Sequence, residues 1–173
     1  MSGASTATPY QFRILQVDDV TEDYVKWFSD VDIVRYSDNQ YRTFSLVGQK
    51  EYVKSCLDNP DMDLYGIFDN GRHIGNITLS GFNSPHNRAE ITYVVGAKDY
   101  WGKGVAAWAI SEIVKLAKQH YKLHRLYAGC AEPNTGSRKV LEKNGFQLEG
   151  KRINHLFYNG EWMNQLDFGL NLS

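Results

Sequence analysis

The stretch that most constrains the fold runs from residue 90 to residue 106, where a strand pattern leads through a glycine-bearing turn into a helix pattern. Branched and aromatic residues over 88–95 predict the strand, and apolar residues at helical spacing predict a helix that begins near Val105. Gly102 and Gly104 allow a tight bend whose peptide N–H groups can converge on one place. Because a helix N-terminus also favours negative charge, this bend is predicted to bind a phosphate or pyrophosphate.

Two common phosphate-binding motifs do not account for the bend. A Walker loop needs Ser or Thr directly after Gly-Lys, and here Gly104 follows Lys103. The dinucleotide-binding pattern needs a third glycine where Ala107 stands. The bend is therefore expected to be a different kind of phosphate site.

A second motif lies further along the chain. Residues 134–146 read Asn-Thr-Gly-Ser-Arg-Lys-Val-Leu-Glu-Lys-Asn-Gly-Phe, and Glu149-Gly150 follows. The pattern predicts a short helix over 135–143 that ends at an Asn144-Gly145 C-cap.

Together the two motifs resemble the GNAT superfamily of acetyl-CoA-dependent N-acetyltransferases, over about positions 10–170. Trp101, Gly104 and Ala106 have the spacing of that family's Gln/Arg-x-x-Gly-x-Gly/Ala pyrophosphate loop, with Trp in place of Gln or Arg. The second motif is similar to the branch that includes the ribosomal-protein N-terminal acetyltransferases. The resemblance implies a single mixed α/β domain of α+β type over 9–173. Its central sheet would be mostly antiparallel, splayed at the cofactor site and flanked by helices.

The resemblance implies transfer of an acetyl group from acetyl-CoA, as co-substrate, to a primary amine by direct attack, with no metal. The residues expected to bind acetyl-CoA are Val94, Val95, Trp101, Gly102, Lys103, Gly104, Val105, Ala106, Asn134 and Ser137. Peptide N–H groups around Val94 and Val95 are candidate oxyanion donors. Lys103 either adds charge at the phosphates or is an ordinary solvated lysine. Asn134 is expected to bind the pantetheine amide, to cap the short helix, or to do both.

Two residues are candidates for proton transfer. Glu90 is a carboxylate entering an otherwise apolar strand, where similar enzymes place a general base that often acts through water. The alternative is a structural Glu paired with Arg88 or an exposed lysine. Ser137 is the candidate for protonating or hydrogen-bonding the departing thiolate, with a helix cap as its alternative. Some relatives use a tyrosine at the position that Leu141 occupies here, so that acid is absent.

For the acceptor amine, the sequence points to a polar loop and to the terminal hairpin. The residues concerned are Arg35, Tyr36, Asp38, Asn39, Tyr41, Arg42, His155, Tyr158 and Trp162. We take Arg35, Tyr36, Tyr41 and Tyr158 as candidate substrate residues, and ordinary solvent exposure is the alternative for each. The acceptor could be a protein N-terminus, which the branch resemblance favours, an aminosugar or a small amine. A non-catalytic CoA-binding or interaction module of the same fold is the alternative to an enzyme.

Composition argues against several other classes of protein. The chain of 173 residues has a formal net charge of -1, so no overall field attracts nucleic acid or an acidic membrane. No apolar run approaches the ~20 residues of a membrane span. Cys56 and Cys130 are expected to be reduced, and His120 with His124 is a weak metal signal. Residues 1–8 are expected to be disordered and lack a secretory signal, so we expect a cytoplasmic protein. A homodimer is left open.

The remaining pattern predicts the element order β-α-α-β-β-β-α-β-α-β-β. A helix over 20–28 is expected after a cap at Asp18 or Asp19, residues 37–40 read as loop, and Ser45 is expected to cap the second helix. The strand before the glycine bend is expected to be covered on both faces, because it is apolar at nearly every residue from its middle onward.

Overall fold

A computed structural model describes residues 9–173, and the expected disorder of residues 1–8 lies outside the described residues. The helices and strands are β1 (Tyr10–Ile14), α1 (Glu22–Trp27), α2 (Leu46–Asp58), β2 (Met62–Asp69), β3 (Arg72–Ser80), β4 (Arg88–Val95), α3 (Val105–Gln119), β5 (Arg125–Ala131), α4 (Thr135–Lys143), β6 (Gln147–Tyr158) and β7 (Glu161–Asn171). Their order is the predicted one. None of the helices within 9–173 combines the length and apolarity needed to cross a membrane.

The strands form one seven-stranded sheet in the order β1-β2-β3-β4-β5-β7-β6. Every neighbouring pair is antiparallel except β4 and β5, which are parallel. The parallel pair is short: residues 88–90 face residues 125–127, and from Ile91 onward β4 is no longer paired with β5. The predicted mixed α/β fold with a splayed central sheet is therefore confirmed.

Helices cover both faces of the sheet. The largest core cluster lies between the sheet and α3, and it includes Ile77, Leu79, Ala89, Ile91, Ile110, Ile113, Leu126 and Phe168. A second cluster lies between the sheet and α1 and α2, and it includes Leu15, Tyr24, Trp27, Val53, Cys56, Leu64 and Phe68. Since side chains alternate along a strand, β4 presents Ile91 and Tyr93 to the α3 side and Glu90, Thr92 and Val94 to the opposite side.

The start of α1 differs from the prediction. The helix is capped by Thr21, whose hydroxyl accepts the Tyr24 N–H at 3.2 Å, and not by Asp18 or Asp19. The Asp19 carboxylate is occupied elsewhere, because it accepts bonds from Arg13 Nη1 at 2.7 Å and from Arg13 Nη2 at 2.8 Å. An ion pair with Arg13, six residues earlier in β1, has thus taken the carboxylate that the local pattern assigned to the cap.

Two other local predictions also need correction. The predicted loop at 37–40 contains a 3₁₀ turn, Asp38–Tyr41, which Ser37 caps by accepting the Asn39 N–H at 3.1 Å. The second half of β4 is not covered on both faces: Thr92 is exposed and residues 93–95 are only partly buried. The reason is that β4 borders a cavity where it leaves β5.

Helix capping elsewhere follows the sequence. Ser45 caps α2, its Oγ accepting the Gly48 N–H at 3.0 Å. The short helix α4 has the predicted bounds, and Gly145 after it has a left-handed φ of 86°. The Phe146 N–H donates to the Leu141 carbonyl at 3.1 Å, which satisfies one of the last free carbonyls of the helix.

Candidate active site

A cavity of about 1230 Å³ opens where β4 and β5 separate. One half is lined by the glycine bend, the N-terminus of α3, the end of β4 and the start of α4. The other half is lined by α1, α2, β3 and the loop between α1 and α2. We call these the bend side and the loop side. Two molecules or two parts of one ligand could therefore meet beside β4.

The bend side is shaped by two glycines. Gly102 and Gly104 have left-handed φ angles of 76° and 79°, and nothing lies within 4 Å of a Cβ added at either. The glycines are thus required by backbone conformation and not by crowding. Gly104 is the N-cap of α3 and has no capping side chain, so the first N–H groups of the helix are left for a ligand.

Four of the predicted bend residues besides Gly104 line this cavity, namely Trp101, Gly102, Val105 and Ala106, but Lys103 does not. The Lys103 ammonium lies 5.2 Å from the centre of the Tyr100 ring. This is the alternative that the sequence left open, a lysine on the surface of the loop.

Trp101 connects the bend to the end of β4 by a hydrogen bond. Its indole Nε1 donates to the Val95 carbonyl at 2.8 Å, and the residue is 46% exposed. The Val95 carbonyl therefore points away from β3. The neighbouring Gly96 N–H donates to Ile74 of β3 at 3.0 Å, and by alternation the Val94 N–H points the same way. Of the two predicted oxyanion donors, only Val95 directs its N–H to the open side.

At the start of α4, Asn134 and Ser137 both line the cavity. The Asn134 Oδ1 accepts the Ser137 N–H at 3.2 Å, so the predicted helix cap is present. The Ser137 hydroxyl forms a short hydrogen bond with the Tyr93 hydroxyl. Burial raises the pKa of Tyr93 to about 12, although the Ser137 bond acts in the opposite direction. Tyr93 is therefore protonated at neutral pH and can donate.

Tyr93 is a site residue that the sequence reasoning missed. It lies in β4, 44 residues before its partner Ser137. In the sequence, the only indication of this role was that Tyr93 follows buried Ile91 by two residues. This spacing places it on the α3 side of the splayed strand. Helix α4 has no tyrosine at position 141, and strand β4 places the Tyr93 hydroxyl beside the start of that helix.

Glu90 lies at the last paired position before β4 and β5 separate, facing Ser80 on one side and Tyr127 on the other. Glu90 does not line the cavity. Thr92, which lies two residues later on the same face of the strand, does line it. Two residues span about 6.6 Å of strand. Burial first, and the charge of Asp167 second, raise the pKa of Glu90 above its ordinary value.

The structural alternative for Glu90 was an ion pair with Arg88. The Arg88 guanidinium instead lies 5.9 Å from the Tyr127 ring centre. No residue within 9–173 forms a salt bridge with Glu90. The half-buried carboxylate is therefore left with a raised pKa and no cationic partner in that part of the chain.

On the loop side, the predicted substrate residues divide into two groups. Arg35 and Tyr36 line the cavity, but Tyr41 and Tyr158 do not. Tyr158 is 5% exposed and its hydroxyl donates to Asp38 Oδ1 at 2.7 Å. The Tyr41 hydroxyl donates to the Phe157 carbonyl. These two tyrosines attach the loop to the terminal hairpin and do not contact the cavity.

Buried polar residues that the sequence reasoning did not single out form the floor of the loop side. The Tyr24 hydroxyl accepts bonds from Gln49 Nε2 and Asn76 Nδ2, both at 2.9 Å, and all three residues line the cavity. Burial raises the pKa of Tyr24 to about 12. In the sequence Tyr24 looks like an apolar residue of the α1 face, so no local pattern marks its role.

Within residues 9–173, no group of three or more His, Cys, Asp or Glu side chains is arranged to hold a metal ion. The chemistry of the cavity is that of peptide N–H groups, hydroxyls, amides and a few charged side chains.

Comparisons with known proteins agree with this geometry. The family model described as an acetyltransferase (GNAT) domain matches residues 11–147. A probable N-acetyltransferase of Bacillus subtilis, YjcK, is 30% identical over 142 residues, which cover 79% of this chain and 76% of that protein.

Two solved structures share the fold. Ribosomal-protein-S5-alanine acetyltransferase from Vibrio fischeri has a TM-score of 0.85 at 21% identity, covering 96% of this chain and 95% of that one. Spermidine N-acetyltransferase from Vibrio cholerae, in complex with CoA and spermine, has a TM-score of 0.84 at 20% identity, covering 95% and 96%. With the family model and the Bacillus relative, these findings show that the chain belongs to the GNAT family of acetyl-CoA-dependent N-acetyltransferases.

Proposed function

We propose that this N-acetyltransferase binds acetyl-CoA on the bend side of the cavity and a primary amine on the loop side, and that the amine attacks the thioester directly. The observation that carries the proposal is the glycine bend itself. Its two left-handed glycines and the uncapped N-terminus of α3 lie at the open end of the gap between β4 and β5. Acetyl-CoA supplies an activated acetyl group as its thioester.

The residues of the bend side fit this co-substrate. The N–H groups of Gly102 and of residues 104–106 would hold the pyrophosphate, because they lie at the positive end of α3. The Lys103 N–H instead donates to the Tyr100 carbonyl at 3.3 Å. The cap at Asn134 uses only Oδ1, which leaves its Nδ2 for a pantetheine carbonyl. The Val95 N–H, directed to the open side, would donate to the developing oxyanion.

Glu90 would act as the general base through water. A water chain is needed because Thr92, and not Glu90, borders the cavity. The raised pKa of Glu90, caused first by burial and second by the charge of Asp167, makes it a stronger base than an ordinary carboxylate.

Tyr93 and Ser137 would supply the proton for the departing thiolate. Their hydroxyls are hydrogen-bonded, and Ser137 borders the cavity at the start of α4. A proton would pass from the Ser137 hydroxyl to sulfur while Tyr93 donates to Ser137. This pair replaces the tyrosine acid that Leu141 excludes.

The acceptor is proposed to be a protein N-terminal amine or a small-molecule amine such as an aminosugar. Both kinds of acceptor occur in the names of proteins with this fold. A homodimer and a cytoplasmic location stay predictions of the sequence, and gel filtration with light scattering tests the first.

The test combines calorimetry with a free-thiol assay. CoA should bind the protein, and thiol release should require both acetyl-CoA and an amine. Glu90→Gln should lower kcat at neutral pH by about 100-fold with little change in the Kd for CoA. Unchanged turnover would remove Glu90 from the mechanism. Binding of CoA without thiol release for any amine would instead favour the non-catalytic module.

A further inference from the structure

The loop between α1 and α2, residues 29–44, forms one wall of the loop side. Some of its charged side chains are paired with other residues of the protein and some are not. It contains Asp30, Asp32, Asp38, Arg35 and Arg42. The wall therefore has three acidic and two basic side chains. A ligand would meet only those charges that are not already paired with other residues.

All three aspartates are occupied by other residues of the protein. Lys98 Nζ lies 2.9 Å from Asp30 Oδ2 and 2.7 Å from Asp32 Oδ2. Asp38 accepts the Tyr158 hydroxyl at 2.7 Å. Of the three, only Asp32 lines the cavity, and its charge is already paired there.

The two arginines of this loop differ from the three aspartates in their partners. Arg35 and Arg42 both line the cavity. Neither forms a salt bridge with any carboxylate of the part of the chain that the structure describes. The Arg35 guanidinium lies 5.2 Å from the ring centre of Tyr36, which also borders the cavity. Two guanidinium groups are therefore available to a ligand, with five N–H donors each.

The wall that carries these arginines is held in place. Gln40 Nε2 donates to the Arg35 carbonyl at 3.1 Å, and Asn159 Nδ2 of the terminal hairpin donates to the same oxygen at 3.0 Å. The Asn159 N–H also donates to Gln40 Oε1 at 3.3 Å. Because the hairpin fixes the backbone beside Arg35, less ordering is needed when a ligand binds.

In the described part of the chain, the floor of the loop side carries no negative charge that would offset the arginines. Its polar residues Tyr24, Gln49, Asn76, Thr78 and Thr92 are neutral. A cationic acceptor would therefore meet unpaired positive charge and no free carboxylate, whereas an anionic group would meet two arginines.

We propose that the acceptor is a primary amine that also carries an anionic group, a carboxylate or a phosphate, bound by Arg35 and Arg42. This inference rests on the proposed function and specifies its substrate class. The arginines also lower the pKa of the acceptor ammonium bound near them, so a larger fraction is the neutral nucleophile.

The experiment uses four small amines in the free-thiol assay: O-phosphoethanolamine, β-alanine, ethanolamine and spermidine. We expect kcat/KM for at least one of the two anionic amines to exceed that for ethanolamine by about tenfold or more, the factor expected of a charge-assisted hydrogen bond. Spermidine should be the poorest acceptor. Whether phosphate or carboxylate ranks first identifies the anionic group.

Arg35→Ala and Arg42→Ala should each reduce the preference for the anionic amine, and Arg42→Lys should retain part of it. Lys115→Ala is the matched control, because it removes a positive charge from the outer side of α3, where Lys115 pairs with Glu112. This control should keep the wild-type ranking. The Kd for CoA, measured by calorimetry, should be the same in all variants.

Several outcomes would overturn the inference while the proposed function stands: equal or better turnover of ethanolamine or spermidine, or a ranking that both alanine variants preserve. A tenfold weaker CoA affinity in the arginine variants would assign these residues to the phosphates of CoA. If CoA binds and none of the four amines releases thiol, this inference fails, and the same assay with peptides that have free N-termini then decides whether the proposed function stands.

Discussion

Gly96, which follows β4 and precedes the glycine bend, offers a sharp test of the packing beneath the site. A Cβ added there would lie 1.8 Å from Trp27 Cδ2, 2.2 Å from Cε2 and 2.3 Å from Cε3. Carbon atoms in contact are about 3.5 to 4.0 Å apart, so in a Gly96→Ala variant the indole would have to move by roughly 1.7 Å.

The indole has little room to move. Trp27 is 7% exposed, and its ring centre lies 5.0 Å from that of Tyr24 and 4.7 Å from that of His73. Overpacking of this kind costs about 1 to 3 kcal/mol of unfolding free energy, and this contact belongs at the upper end. For a chain of this size, about 3 kcal/mol corresponds to a fall in Tm of roughly 6 to 12 °C.

Thermal unfolding followed by circular dichroism measures the effect, and Gly136→Ala is the control. A Cβ at Gly136 meets only Asn134 Oδ1 at 3.8 Å, so we expect a stability change of about 1 kcal/mol or less. In a Trp27→Ala background the Gly96→Ala cost should largely disappear, since the clashing ring is gone. A Tm for Gly96→Ala within about 1 °C of wild type would refute the reasoning.

Three further predictions concern the site. Because the pKa of Glu90 is raised in the folded protein from its ordinary 4.5, ionisation of Glu90 opposes folding at higher pH; Glu90→Gln should raise the free energy of unfolding at pH 7, with the gain vanishing below pH 4.5, as urea titrations at several pH values would show. Tyr93→Phe should lower kcat by about 100-fold with an unchanged Kd for CoA, and unaltered single-turnover rates would exclude it as a proton donor. Gly104→Ala places a side chain at a φ of 79° and should cost about 1 to 2 kcal/mol of stability; it should also weaken CoA binding, which calorimetry measures, and full affinity would remove the bend from the site.

The local parts of the site could be predicted because each depends on neighbouring residues. The strand before the bend, the left-handed glycines and the start of α3 follow from residues within 88–106. The same is true of α4, where Asn134 caps the helix and Gly145 ends it. Backbone conformation and capping act over one helical turn, so sequence spacing is sufficient to identify them.

The partners of polar side chains could not be predicted in this way. Asp19 looked like a helix cap but pairs with Arg13, and Tyr158 looked like a substrate residue but bonds Asp38, which is 120 residues away along the chain. The first pair spans 6 residues and the second 120, so the sequence separation of such partners has no fixed period and their contact is decided by the tertiary fold.

The sequence by itself determined that a bend with two left-handed glycines joins a strand to a helix, and that a capped helix follows further along. The tertiary structure decided which groups meet in the cavity: it brought Tyr93 to Ser137, kept Glu90 out of the cavity wall, and left Arg35 and Arg42 without carboxylate partners among residues 9–173. The physical reason is that backbone geometry is set by neighbours in the chain, whereas the charge and proton chemistry of a site is set by neighbours in space.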